Sequence, residues 1–251
     1  NVKAVKAGRH AYTLSGYLLV GPSGTGKTFL VDAIASEYGY TIVEWRNTKS
    51  QWLGQSESNF ETVLQAIESL SPVLVFIDEA DQILSQRQDG QAGDGGTGAY
   101  MFGRLLNFMG DGRHKGRIVL ILASNRPDLI DLALADRIGC CVPLIRPGKP
   151  NIPGILASLA GQMDVKMDIS EAEMQDVVTK LPSEVSIRKL KDLVGLAALY
   201  SDSDTVKAKD IGSAADNILF SEDKLKADYW TCLSVRCATY SSLLPWMNGK
   251  S

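Results

Sequence analysis

The sequence predicts an α/β protein: a parallel sheet with helices on both faces, followed by a small all-α domain. Two observations predict it. Short β-rich apolar runs alternate with helical patterns through the first 145 residues, and strands alternating with helices give a parallel sheet covered on both sides. After Pro147-Gly148-Lys149-Pro150 that alternation stops, and helical stripes follow one another without a strand signal.

The strand candidates are Gly16–Val20, Tyr40–Glu44, Val73–Ile77, Arg117–Ala123 and Gly139–Val142. Each is too short for a buried helix and is bounded by Gly, Pro or polar residues. A helix is predicted from about Lys27 to Tyr38. Another carries Phe60, Val63, Leu64, Ile67 and Leu70 on one face, with Ser58 and Glu61 spaced for a capping box. Beyond the hinge, Ile187, Leu190, Leu193, Val194, Ala197 and Ala198 form the clearest stripe. Leu225, Tyr229, Leu233, Cys237, Tyr240 and Leu244 place a last helix in the tail, where packing on its own domain is the simplest expectation. The expected division is 1–147 for the sheet domain, 148–221 for the helical domain and 222–251 for the tail. Residues 89–98 hold five glycines in ten and read as a loop.

Composition narrows the function. The 251 residues carry 26 Lys+Arg and 29 Asp+Glu, a net charge of −3 that argues against holding nucleic acid by bulk electrostatics. The longest apolar run, Ile118 to Ala123, is six residues, so no membrane insertion is expected. Four Cys, two of them adjacent at Cys140 and Cys141, form neither a disulfide framework nor a zinc spacing, which favours a reducing, cytoplasmic setting. Cys232 and Cys237 read as packing thiols, and the isolated His10 and His114 give little support to a metal site. A first residue of Asn rather than Met suggests an excised fragment.

Gly21-Pro22-Ser23-Gly24-Thr25-Gly26-Lys27-Thr28 fits G-x-x-x-x-G-K-[ST], the phosphate loop of P-loop NTPases. The glycines let successive N–H groups turn inward on phosphate oxygens; Lys27 reaches the β- and γ-phosphates, and the Thr28 hydroxyl ligates Mg²⁺. The predicted helix that follows adds its N-terminal dipole. An apolar run, Val73 to Ile77, then ends in Asp78 and Glu79 at the sheet edge where open α/β folds place ligands. Asp78 suits Mg²⁺, reached through water, and Glu79 suits deprotonation of an attacking water. ATP and Mg²⁺ are the expected ligands.

Four ordered strings, Gly21–Thr28, Trp52-Leu53-Gly54-Gln55-Ser56-Glu57, Phe76-Ile77-Asp78-Glu79-Ala80-Asp81 and Ala123-Ser124-Asn125-Arg126-Pro127-Asp128, closely resemble the AAA family of AAA+ ATPases. The resemblance covers roughly residues 15 to 220 and makes the helical part a lid domain. It implies that Asn125 is sensor 1, which helps to place the lytic water, while the same Asn could also initiate the turn after it. It implies that Trp52 and Leu53 belong to a pore loop gripping an extended polypeptide; a core role for Trp52 is the alternative. Arg137 is the candidate arginine finger in a shortened segment, with pairing to Asp136 as its alternative. Arg188 stands at the sensor 2 position, where this branch often has Gly-Ala, and a solvated helix Arg is the other reading. The implied assembly is a ring, a homo-hexamer or a mixed ring of related subunits, that remodels a polypeptide. A regulatory ATP-binding module with weak turnover is the competing class.

Overall fold

The structure, a computed structural model, describes residues 14, 16–45, 57–81, 97–130, 134, 137–218 and 220. Trp52, Leu53, Asp136, most of the glycine-rich 89–98 segment and the tail helix lie outside the described residues. The chain divides into two compact units, one holding the described residues up to Gly21 and within Lys27–Leu144, the other Pro22–Gly26 with those of Ile145–Leu225.

The first unit is built on five strands, β1 (Gly16–Val20), β2 (Thr41–Trp45), β3 (Val73–Ile77), β4 (Ile118–Ser124) and β5 (Cys140–Pro143). They match the predicted runs to within a residue at each end. The order is β2-β3-β4-β1-β5, and every pairing is parallel. Position in the sheet explains composition: β3 and β4 are buried along their whole length, as inner strands covered on both faces must be. The outer strand β2 is only partly buried.

Helix α1 (Lys27–Tyr38) packs Val31 and Ala35 on one sheet face, against Leu19, Leu74, Phe76, Val119, Ile121 and Ala123. The period of two sends Val20, Val75, Ile77, Leu120 and Leu122 to the opposite face. Helix α3 (Thr97–Gly110) lies on that side, because Met109 Cε stands 3.3 Å from where a Gly16 side chain would begin. Helix α2 (Glu57–Ser69) buries Phe60, Leu64 and Ile67. α1 ends at Gly39, whose φ of 69° lets the Tyr40 N–H reach the Ala35 carbonyl at 3.0 Å. A Gly39 side chain would meet nothing within 4 Å. Gly39→Ala is therefore expected to cost about 1–2 kcal/mol from backbone conformation alone, read as a lower urea midpoint at unchanged slope.

The Ser58–Glu61 capping box does not form. The helix starts at Glu57, so Ser58 lies inside it, and its carbonyl accepts from Thr62 Oγ1 at 2.8 Å. Glu61 instead accepts from Arg104 of α3, with Nη2 to Oε2 at 2.7 Å, and from the Tyr100 hydroxyl at 3.1 Å. The Arg104 guanidinium, more than Tyr100, holds the Glu61 carboxyl below its usual range. Its folded value is then lower than its unfolded one, so the pair's stabilisation is complete above the ordinary carboxylate range and fades as pH falls through the lowered value. The stability gap between the native chain and Glu61→Gln should hold steady at neutral pH and narrow as pH falls below the ordinary carboxylate range, as urea titrations at each pH would show.

The second unit contains α4 (Ile152–Gln162), α5 (Glu171–Lys180), α6 (Ile187–Tyr200) and α7 (Ala208–Asn217). Their shared core includes Leu156, Val178, Leu190, Val194, Ile211 and Ala214. The predicted α6 stripe is the one that is buried. Ser170 and Glu173 close a capping box at the start of α5, with the Ser170 N–H donating to the Glu173 carboxylate at 2.9 Å. Two short parallel strands, β6 (Lys166–Met167) and β7 (Thr205–Val206), join loops of this helical unit. Two residues are too few to show a period, so sequence patterning did not register them.

Candidate active site

The loop after β1 starts with a glycine that nothing larger could replace in place. A side chain on Gly21 would begin 1.9 Å from the Leu144 carbonyl oxygen, because Leu144 continues the β5 pairing and donates its N–H to Val20 O at 2.7 Å. Gly24 and Gly26 take φ values of 75° and 88°, left-handed geometry that glycine adopts without strain and that turns backbone N–H groups into a concave nest. The buried Thr25 hydroxyl donates to Pro22 O at 3.0 Å and fixes the loop from inside.

Lys27 opens α1 and is buried, 7% exposed. Its ammonium donates to Gly21 O at 2.9 Å and to Asn125 Oδ1 at 2.7 Å. These partners are brought together by sheet order. β4 lies between β1 and β3, with Ser124 opposite Val20 and Leu122 opposite Ile77. The residue after β4, Asn125, is thus carried to the edge shared by the end of β1 and the acids that follow β3.

Asp78 and Glu79 emerge exposed at that edge after five buried residues. Glu79 adopts φ 49°, an uncommon conformation for a non-glycine residue, and its N–H donates to Asp78 Oδ1 at 2.8 Å. The Thr28 hydroxyl side chain is exposed at the start of α1. Hard oxygen donors such as Thr28 and Asp78 fit Mg²⁺; a buried ammonium such as that of Lys27 suits phosphate oxygens, and so, taken by itself, does a glycine nest.

The turn role open to Asn125 goes elsewhere. Its side-chain oxygen is taken by Lys27, while Ser124 Oγ accepts the Arg126 N–H at 2.9 Å and donates to Asp81 Oδ1 at 2.7 Å. Ser124 and Asp81 are 1% and 8% exposed, a buried polar pair tying the end of β4 to the segment after β3. The sequence reading gave neither a role. A hydroxyl closing an entirely apolar run was the available signal, since a group buried there requires a partner.

Arg137 is exposed, near the end of α3, with its Nε 4.0 Å from where a Gly110 side chain would begin. In the second unit, the Arg188 N–H donates to Gly24 O at 3.3 Å, and Arg188 lines a cleft of about 120 Å³ with Ser23, Gly24, Ser186 and Lys189. Arg146 lines the same cleft with its side chain 8% exposed and Nη1 3.5 Å from Glu184. Composition around Arg146 carried no hint of this.

Known proteins resemble the chain in sequence and in fold. It is 30% identical to Protein SAV of Sulfolobus acidocaldarius over 77% of this chain and 26% of that protein. It is 30% identical to the ATP-dependent zinc metalloprotease FtsH of Staphylococcus haemolyticus over 81% of this chain and 28% of that protein. Identity to proteasome-activating nucleotidase 2 of Halobacterium salinarum is 28%, over 83% and 52% respectively. The chain thus spans from about a quarter to about half of these curated relatives. The crystal structure of the FIGL-1 AAA domain in complex with ADP shares the fold, with a TM-score of 0.73 at 20% identity, covering 94% of this chain and 84% of that one. The model of the ATPase family associated with various cellular activities matches residues 17–144. That match runs from β1 to the residue after β5 and takes in Lys27, Asn125 and the two acids that follow β3: the chain belongs to the AAA family of ATPases.

Proposed function

We propose that this chain is a Mg²⁺-dependent ATP-hydrolysing module that assembles into a ring, a hexamer of itself or of related subunits, and remodels a polypeptide drawn through the pore by Trp52 and Leu53. The observation that carries the hydrolytic part is the Lys27–Asn125 hydrogen bond at 2.7 Å, on the edge where Asp78 and Glu79 end β3. When bound, Mg²⁺ supplies charge neutralisation at the phosphates. Pro22, Ser23, Gly24, Thr25 and Gly26 present the nest, with Lys27 adding positive charge. Thr28 and Asp78 offer the oxygen donors. Glu79 takes a proton from the attacking water, and Asn125, held by Lys27, orients that water. Arg188 contributes from the lid, and Arg137 contributes to a neighbouring subunit's site.

Two relatives are named for ATP-dependent proteolysis and for proteasome activation, which supports a polypeptide substrate. The decisive experiment compares ATPase rate per subunit across protein concentration, with unfolding of a tagged test protein measured alongside. A rising specific rate that Arg137→Ala abolishes supports action across a subunit boundary. Trp52→Ala is expected to keep at least half the ATPase rate and lose unfolding; unfolding at the native rate would sink the threading step. The single Arg of the 134–140 segment favours a second reading, a regulatory ATP binder, and ATP binding with a flat, near-zero specific rate would select it.

A further inference from the structure

The two groups assigned to the attacking water, Glu79 and Asn125, stand on segments that follow different strands. The β3–β4 pairing ends with Ile77 opposite Leu122, so the ladder stops before either residue. Past that point Ser124 Oγ donates to Asp81 Oδ1 at 2.7 Å. Asp81 comes two residues after Glu79, and Ser124 directly precedes Asn125. This bond between two buried side chains therefore ties together the segments that carry both groups.

Ser124 also holds the backbone on either side of Asn125. Its carbonyl, just before Asn125, accepts the Gly21 N–H at 3.3 Å. Its hydroxyl oxygen accepts the Arg126 N–H, just after Asn125, at 2.9 Å. A serine hydroxyl has one proton, and here that proton goes to Asp81, which leaves a lone pair for Arg126. Asp81 thus sets the direction of the hydroxyl, and the hydroxyl sets the peptide that follows Asn125. Lys27 Nζ takes the Asn125 side-chain oxygen at 2.7 Å, so Asn125 is fixed at backbone and side chain. On the other segment, Asp81 and the fully buried Ala80 anchor the turn in which Glu79 holds its φ of 49°.

Stability alone does not call for such a pair, because replacing both partners of a buried hydrogen bond with apolar groups of similar shape is nearly neutral. Hydrolysis does call for fixed geometry, since a misplacement of about 1 Å lowers a rate roughly 100-fold. We propose that Ser124 and Asp81 are positioning residues for ATP hydrolysis, which set Asn125 against Glu79 and act through them. The inference rests on the hydrolytic part of the proposed function; it needs neither the ring nor the pore.

The test measures ATP affinity by fluorescent-nucleotide titration and turnover by single-turnover hydrolysis, both on the full chain. Ser124→Ala is expected to lower turnover about 10–100-fold, with ATP affinity within about twofold of native. Ser124→Thr keeps the hydroxyl and should hold turnover within about threefold of native. In an Asn125→Ala background, Ser124→Ala should lower turnover by no more than about a further twofold, because the residue it acts through is gone. A structural role alone would give the same loss in both backgrounds. Ser124→Ala also leaves a buried carboxylate without its hydroxyl, so circular dichroism and the urea midpoint are read first. If that variant loses its fold, Ser124→Ala with Asp81→Leu takes its place; it should recover the midpoint and keep the turnover defect. A native chain that binds ATP and never hydrolyses it overturns the hydrolytic reading and this inference together. Where the native chain hydrolyses ATP, native turnover in the alanine variant or equal losses in the two backgrounds overturn the positioning role alone. So does a folded Ser124→Thr as slow as Ser124→Ala, or an affinity loss as large as the turnover loss.

Discussion

Glu79→Gln is expected to leave ATP binding within about twofold of native and to lower turnover by about 10²–10⁴-fold, the usual contribution of a positioned general base. The geometry makes the change selective. Glu79 is exposed, so Gln loses little packing, and the bond to Asp78 runs through the backbone N–H, which the substitution keeps. Its φ of 49° is set by the chain, so the amide should occupy the position of the carboxylate. What disappears is the ability to take a proton. Binding by fluorescent nucleotide titration and single-turnover hydrolysis separate the two effects. Native turnover in the variant would remove Glu79 from the chemistry; lost binding would make it a structural residue.

Lys27→Met should act at the opposite point of the cycle. It removes the buried ammonium, and with it the donor to both Gly21 O and Asn125 Oδ1. Hydrogen bonds to charged groups contribute about 1.5–3 kcal/mol each, so losing one phosphate contact alone weakens ATP binding roughly 10–100-fold. The released Asn125 should add a turnover defect beyond the affinity loss, because its side chain no longer has a fixed orientation. Asn125→Ala is the comparison: it keeps the ammonium and should retain most binding while lowering turnover. Equal binding by the native chain and Lys27→Met in an equilibrium titration would contradict the phosphate role.

Much of this was legible in the sequence because burial on both faces leaves a crude signature. Val73–Ile77 and Ile118–Ala123 can only be inner strands, and a glycine loop between a strand and a helix has few other uses. The glycine loop and both acids could therefore be placed without coordinates. The contacts among them could not, since Lys27 meets Asn125 only because β4 inserts between β1 and β3, and that order leaves no local trace. The Ser58–Glu61 spacing failed for a related reason. A capping box is a local pattern, and it lost to Arg104, a charged partner 43 residues away. Ser124, Asp81 and Arg146 escaped notice because each acquires its meaning from burial, a property of the fold.

The place of β4 also sets a timetable for how the chain is made. Gly16 pairs with Leu120, so β1 leaves the ribosome long before its inner neighbour exists. At roughly 5–20 residues per second the wait is about 5–20 s. During that interval Tyr17 to Val20 is an unpaired apolar strand end, open to mispairing or to capture by a chaperone. The ammonium of Lys27 waits equally long for Asn125. A nascent chain stalled before residue 118 should therefore gain no protection from ATP, whereas one released past residue 145 should begin to resist protease when nucleotide is added.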